Sequence, residues 1–95
     1  MRLPLPYADF FKAEVTTLRA AAAVYLFGSR TDHGRKGGDV DILVLSDPKL
    51  NWEETARIRR RFWDQFGFQK LDLVCFSPND RSAFKDLVLL DAIRL

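Results

Sequence analysis

Leu26 to Leu45 reads LFGSRTDHGRKGGDVDILVL. The stretch starts at the end of an apolar run, breaks at Gly28-Ser29, crosses a polar, basic loop and re-enters apolar sequence through Asp39-Val40-Asp41. Aspartate is depleted in strands, yet two stand one residue apart at the head of Ile42-Leu43-Val44-Leu45. Side chains alternate along a strand, so Asp39 and Asp41 are expected on one face, with Cα atoms about 6.5 Å apart. At that spacing two short carboxylates can converge on one divalent ion or on a close pair, which two-metal sites hold about 3.5–4 Å apart. Gly28 and Ser29 can offer backbone N–H groups and a hydroxyl to a phosphate. Strand, Gly-Ser, basic loop and Asp-x-Asp strand together point to a site for Mg²⁺ and a nucleoside triphosphate.

Outward from this stretch, the flanking elements are legible. Leu3-Pro4-Leu5-Pro6 is an extended lead-in, because each proline biases its predecessor away from helix. Phe11, Val15, Leu18 and Ala22 recur at helical spacing and predict a helix from Tyr7 to about Ala22. Val24 to Phe27 is a short buried strand, and Asp32 to Gly38, with three glycines in seven residues, is a loop. Val40 to Leu45 is apolar on both faces beyond the carboxylates, as for a strand covered on both sides. Asn51 with Glu54 resembles a capping box that opens a helix running to Phe66, with Gly67 as its stop and Ile58, Phe62 and Phe66 as its apolar row. Lys70 to Phe76 is a third strand that contains Asp72. Asn79 or Ser77 is expected to cap a last helix from Asp80 to about Arg94. The order α-β-β-α-β-α predicts a small mixed α/β sheet with helices packed on it. The first two strands form an antiparallel pair, and a helical crossover makes the second and third parallel.

With 95 residues, the chain is expected to be one domain, residues 1–95. Its net charge of +2 is too small to argue for nucleic acid by itself. The single cysteine, Cys75, excludes an intrachain disulfide and fits a reducing compartment. The first residues carry no apolar signal-peptide core, and the longest apolar stretch, Ala20 to Phe27, is eight residues. A bilayer span needs roughly 20. These features lead to the expectation of a cytoplasmic protein with no membrane partner.

Gly28-Ser29, nine intervening residues and Asp39-Val40-Asp41 resemble the signature of the DNA polymerase β-like nucleotidyltransferase superfamily. The small size and Leu71-Asp72-Leu73-Val74 resemble its minimal nucleotidyltransferase (MNT) branch, whose members are often antitoxin partners of HEPN-domain proteins. The resemblance covers nearly the whole chain and implies the nucleotidyltransferase fold. It implies transfer of a nucleoside monophosphate, AMP from ATP in the first instance, to a hydroxyl acceptor, with Mg²⁺ or Mn²⁺. It assigns metal binding to Asp39 and Asp41, makes Asp72 the third catalytic carboxylate, and gives the β/γ-phosphates to Gly28 and Ser29. Arg30, with Arg35 or Lys36, can add positive charge at the phosphates. The acceptor that the resemblance suggests is a side chain of a HEPN-type partner.

Each assignment has a plainer rival. Asp39 and Asp41 can be strand-end solvation, Ser29 a turn former, Asp72 the partner of a buried cation, and Arg30, Arg35 and Lys36 a solvated loop. His33 reads as a surface loop residue and Cys75 as a small buried hydrophobe. Arg57, Arg59, Arg60 and Arg61 read as a solvated helix face, with RNA contact the lesser reading. Trp52 and Trp63 read as core or interface anchors. A last helix apolar on all sides predicts an interface with a second copy or a HEPN-type partner. At the level of function, the rival to the enzyme is a binding module that neutralises its partner by covering it.

Overall fold

The computed structural model describes residues 3–28 and 39–95. Helix α1 (Leu5–Leu18) leads to strand β1 (Ala23–Leu26), then β2 (Val40–Leu45), α2 (Trp52–Phe66), β3 (Leu71–Phe76), α3 (Ala83–Leu89) and β4 (Ile93–Arg94). The strands form one sheet in the order β3-β2-β1-β4. β1 is antiparallel to β2 and to β4, while β2 and β3 are parallel. No helix among the described residues is long and apolar enough to cross a membrane.

Alternation along β2 gives the sheet two different faces. Val40, Ile42 and Val44 join Val24, Leu26, Leu71 and Leu73 in a core with Phe10, Phe11 and Val15 of α1 and Ile58 and Phe62 of α2. The rings of Phe11 and Phe62 stack at 4.9 Å, and Tyr7 meets Phe62 edge-on at 5.1 Å. Asp41, Leu43 and Leu45 point the other way. On that face Phe84 of α3 sets its ring against Phe27 and Phe76, each at 6.1 Å.

Helix α2 begins and ends as its sequence dictates. Asn51 Oδ1 accepts from the Glu54 N–H at 2.8 Å, and Glu54 Oε1 accepts from the Asn51 N–H at 2.9 Å. Gly67, at φ 87°, donates its N–H to the Trp63 carbonyl at 2.8 Å. Glu54 also takes both ends of the Arg19 guanidinium, at 2.9 and 3.0 Å. The capping N–H of Asn51, followed by Arg19, holds the Glu54 carboxyl below its ordinary value of 4.5.

Two helices differ from the sequence expectation. α1 starts at Leu5, since a first turn tolerates a proline that has no N–H to give. It stops at Leu18 rather than Ala22, because Arg19 leaves the helix in an extended conformation to reach Glu54 and the Pro48 carbonyl. The last helix is far shorter than Asp80 to Arg94. Ser77 and Asp80 close a turn instead of a cap, and Ser82 caps the helix by accepting from the Lys85 N–H. After Leu89 the chain turns back, and Ile93 and Arg94 pair with Leu26 and Tyr25. The all-round apolar helix is therefore a short helix and a strand: Leu87 and Leu90 stay exposed, Ile93 enters the sheet as part of β4, and Leu95 packs against the core.

Candidate active site

Three elements bring the predicted residues to one corner of the sheet. Asp41 is the second residue of β2 and Asp72 the second of β3, and the parallel register makes them direct partners. Partners in neighbouring strands lie about 4.8 Å apart and point to the same face. Asp41 is buried, at 8% exposure, and Asp72 is exposed. Asp39 lies just before β2 and is half-buried. The Val40 N–H donates to the Lys70 carbonyl at 3.0 Å, so the β2–β3 ladder continues up to the edge of Asp39.

Gly28 closes the corner from the β1 side. The Phe27 N–H donates to the Asp41 carbonyl at 3.0 Å, which fastens the end of β1 to this part of β2. Gly28 sits at φ +73°, and a Cβ placed on it would collide with Asp41 Oδ2. Glycine is needed here twice over, for its backbone conformation and for the room that the carboxylate takes. Ser29, Arg30, His33, Arg35 and Lys36 lie outside the described residues, as does the predicted loop Asp32 to Gly38.

The rival reading of Asp72 as the partner of a buried cation fails on its position. Asp72 is exposed, and the buried lysine among the described residues, Lys85, donates its Nζ to the Pro78 carbonyl at 2.9 Å, beyond the far end of β3. Cys75 sits on the opposite face of β3 from Asp72. Burial pushes its thiol up to about 11, which keeps it protonated and inert at neutral pH. Of the arginines on α2, Arg61 pairs with Glu14 at 2.8 Å, and Arg57 and Arg60 are exposed. Trp63 joins the edge of the core and donates its Nε1–H to the Gln69 carbonyl, while Trp52 is exposed.

The donors at the corner are all carboxylate oxygens, the hard donors that Mg²⁺ and Mn²⁺ prefer. Among the described residues, no three His, Cys, Asp or Glu side chains form a ready-made metal group. Mg²⁺ is usually held by one or two carboxylates with waters and substrate phosphates rather than by an all-protein cage. Asp41 and Asp72 can supply the two carboxylates, with Asp39 beside them.

Sequence reading missed one feature of this corner. A cavity of about 270 Å³ opens next to Gly28, lined by Phe27, Leu87, Val88 and Asp91 as well as Gly28 itself. It exists because α3 stops at Leu89 and the chain turns at Leu90-Asp91. No glycine or proline marks that stop in the sequence, so nothing local signalled it.

The family model for the polymerase beta nucleotidyltransferase domain matches residues 12–95. Among solved structures, the chain is similar to one in the crystal structure of the toxin-antitoxin MntA-HpeT mutant. The TM-score is 0.67 at 16% identity, over 92% of this chain and 70% of that one. At that identity the likeness speaks for the fold. Comparison with curated proteins finds no match. A family match from α1 to the last residue, on a fold that sets Asp41 beside Asp72 with Gly28 packed on Asp41, identifies the chain as a member of the polymerase beta nucleotidyltransferase family, a family of transferases.

Proposed function

We propose that the protein transfers a nucleoside monophosphate, AMP from ATP in the first instance, to a hydroxyl acceptor, and that Asp39, Asp41 and Asp72 are its catalytic carboxylates. The observation that carries this reading is the register pair Asp41–Asp72 with the Gly28 backbone packed against Asp41. A strand pair needing only stability has no use for two carboxylates directly opposite each other, because like charges there are destabilising. Their repulsion is relieved when a cation lies between them.

The chain's own groups divide the work. Gly28, with Ser29 and Arg30, holds the β- and γ-phosphates on the β1 side of the carboxylates. Asp39 and Asp41 stand under the α-phosphate, and Asp72 faces the acceptor on the β3 side. Mg²⁺ or Mn²⁺ bound by these aspartates supplies neutralisation of the triphosphate charge and a lowered pKa for the attacking hydroxyl. The residues contribute mainly positioning and pre-arranged charge.

The partner we propose is a HEPN-type toxin in the cytoplasm, with a side-chain hydroxyl of that toxin as acceptor and neutralisation by modification as the outcome. Membership of the nucleotidyltransferase family and likeness to a chain from a toxin-antitoxin complex support this reading. The test is incubation with ATP labelled at the α-phosphate, Mg²⁺ and the product of the adjacent gene. Label in the partner, absent when Asp41 is replaced by Asn, is expected. A partner neutralised equally by the parent and by Asp41→Asn, with no label transferred, would establish the binding-module reading instead.

A further inference from the structure

Strand β3 lies at the edge of the sheet, and its outer side is open. The sheet runs β3-β2-β1-β4, so β3 has a single neighbour, in unbroken parallel register from Val40↔Leu71 to Leu45↔Phe76. In a parallel ladder the N–H and C=O of one residue point to the same side, and successive residues alternate. The Lys70 carbonyl accepts from the Val40 N–H and the Phe76 carbonyl from the Ser46 N–H, so Lys70, Asp72, Val74 and Phe76 address β2. Leu71, Leu73 and Cys75 therefore turn their backbone groups outward, and no strand or backbone hydrogen bond among the described residues takes them there. The side chains of Leu71 and Leu73 go down into the core, so these residues offer backbone alone. Such a row of donors and acceptors is a template for one more strand, which proteins blunt with proline, a bulge, lysines or a covering element. Leu71–Phe76 has no proline and no bulge, and its one charged side chain is Asp72. The opposite edge, β4, is two residues long.

The edge runs past the carboxylates, and this indicates what it takes. On an added antiparallel strand, the residues opposite Leu71 and Leu73 would exchange hydrogen bonds with them. The residue opposite Asp72 would then form a non-hydrogen-bonded pair, with Cα atoms about 4.5 Å apart and both side chains on one face. Asp72 is exposed and has Asp41 as its partner on the other side. A side chain delivered in this way stands in line with Asp72 and Asp41 on the carboxylate face. We infer that β3 receives the acceptor as an added strand: an extended segment of the acceptor protein pairs with Leu71, Leu73 and Cys75 and sets its hydroxyl residue opposite Asp72. The hydroxyl oxygen then bonds to the α-phosphorus, the bond from that phosphorus to the bridging oxygen of the β-phosphate breaks, pyrophosphate leaves with the electron pair, and the hydroxyl proton goes to solvent. Phe68, 81% exposed and set against the Trp63 ring at 5.0 Å, lies at the head of the edge and offers an apolar anchor where the segment leaves the strand. A second copy of this chain is the poorer occupant, because antiparallel pairing of two β3 strands puts a second Asp72 on the same edge. The inference rests on the nucleotidyl-transfer reading above.

The test follows backbone amide exchange in the protein with and without the product of the adjacent gene, in Mg²⁺ and α,β-methylene ATP, which holds the acceptor in place without transfer. Alone, the Leu71, Leu73 and Cys75 amides should exchange fast, and the Asp72, Val74 and Phe76 amides, bonded to β2, slowly. With the partner, the first three should slow by about tenfold or more, giving an unbroken run of protection along β3. Cys75→Pro removes one outward N–H and leaves the ladder to β2 whole, as proline on an edge strand can. It should raise the KM for the partner in the label-transfer assay by about tenfold, while its melting gain from MgATP stays near that of the parent. If that variant does not fold, the exchange pattern decides by itself. Label transferred to the partner while the three outward amides stay unprotected overturns the added strand and leaves the transferase reading standing. Outward amides already protected in the protein alone, in a dimer, give the edge to a second copy and also overturn it. No label transferred by the parent overturns both readings.

Discussion

The two faces of strand β2 come from the same six residues, yet they are built for different purposes. Val40, Ile42 and Val44 are fully buried under α1 and α2, among the rings of Phe10, Phe11 and Phe62. One residue out of phase, Asp41 shares its face with Leu43, an adjacent aspartate in register and the backbone of a glycine at positive φ. The first face has a long helix with a capping box at its head. The second has the seven-residue α3 and an open cavity. Stability is concentrated on the helical face, and the proposed function gives the carboxylate face the chemistry, at a cost in stability that functional sites commonly carry.

Breaking the helical face should have the largest effect. Phe62 is fully buried and makes ring contacts with Tyr7, Phe10, Phe11 and Phe66. Phe62→Ala is expected to cost about 3–5 kcal/mol in denaturant unfolding, while MgATP affinity of the molecules that remain folded stays near the parent value. A loss below about 1 kcal/mol would mean that the aromatic cluster is not where stability resides.

Gly28→Ala probes the seam between the faces. The new Cβ meets the Asp41 carboxylate, and φ +73° disfavours any side chain. The expected cost is about 1–3 kcal/mol, together with a loss of MgATP binding out of proportion to it. Stability loss with unchanged nucleotide binding would separate Gly28 from the site.

A smaller effect sharpens the comparison from the stable side. Glu54→Gln removes the charge that Asn51 and Arg19 hold in place and should cost about 1 kcal/mol at pH 7. Because the folded carboxyl is held below its ordinary value of 4.5, its stabilisation is present above that value and is lost as pH falls through the folded one. The parent and Glu54→Gln unfolding curves should therefore converge in acid. A gap that persists unchanged at low pH would assign the effect to packing.

Legibility in the sequence follows the same division. β2 was readable to the residue because its apolar run is bounded by glycines on one side and Ser-Asp-Pro on the other. α2 was readable because its cap and its stop are local signals. The aspartates were visible as residues that do not belong in a strand, but their partnership required the β2–β3 register. The chain's end was misread for the opposite reason: helix-compatible residues run on past Leu89, and the stop is imposed from outside by the free edge of β1. The Leu95 N–H donates to the Val24 carbonyl at 2.9 Å, and Ile93 pairs with Leu26. The same cause, a long-range demand overriding local preference, ended α1 at Leu18 so that Arg19 could reach Glu54. Asp91 fell inside the misread segment, and the cavity it lines was hidden with it.

The central claim is that the carboxylate face binds nucleotide and metal and does not serve to hold the fold. Thermal melting of the parent and of the Asp39→Asn, Asp41→Asn double variant, each with and without MgATP, tests it most directly. The account predicts that the double variant melts no lower than the parent without ligand, because clustered negative charge has been removed. It also predicts that the parent alone gains from MgATP, by about 2.7 kcal/mol at a hundredfold excess over Kd. A double variant that gains as much from MgATP as the parent would place the nucleotide elsewhere and contradict the account.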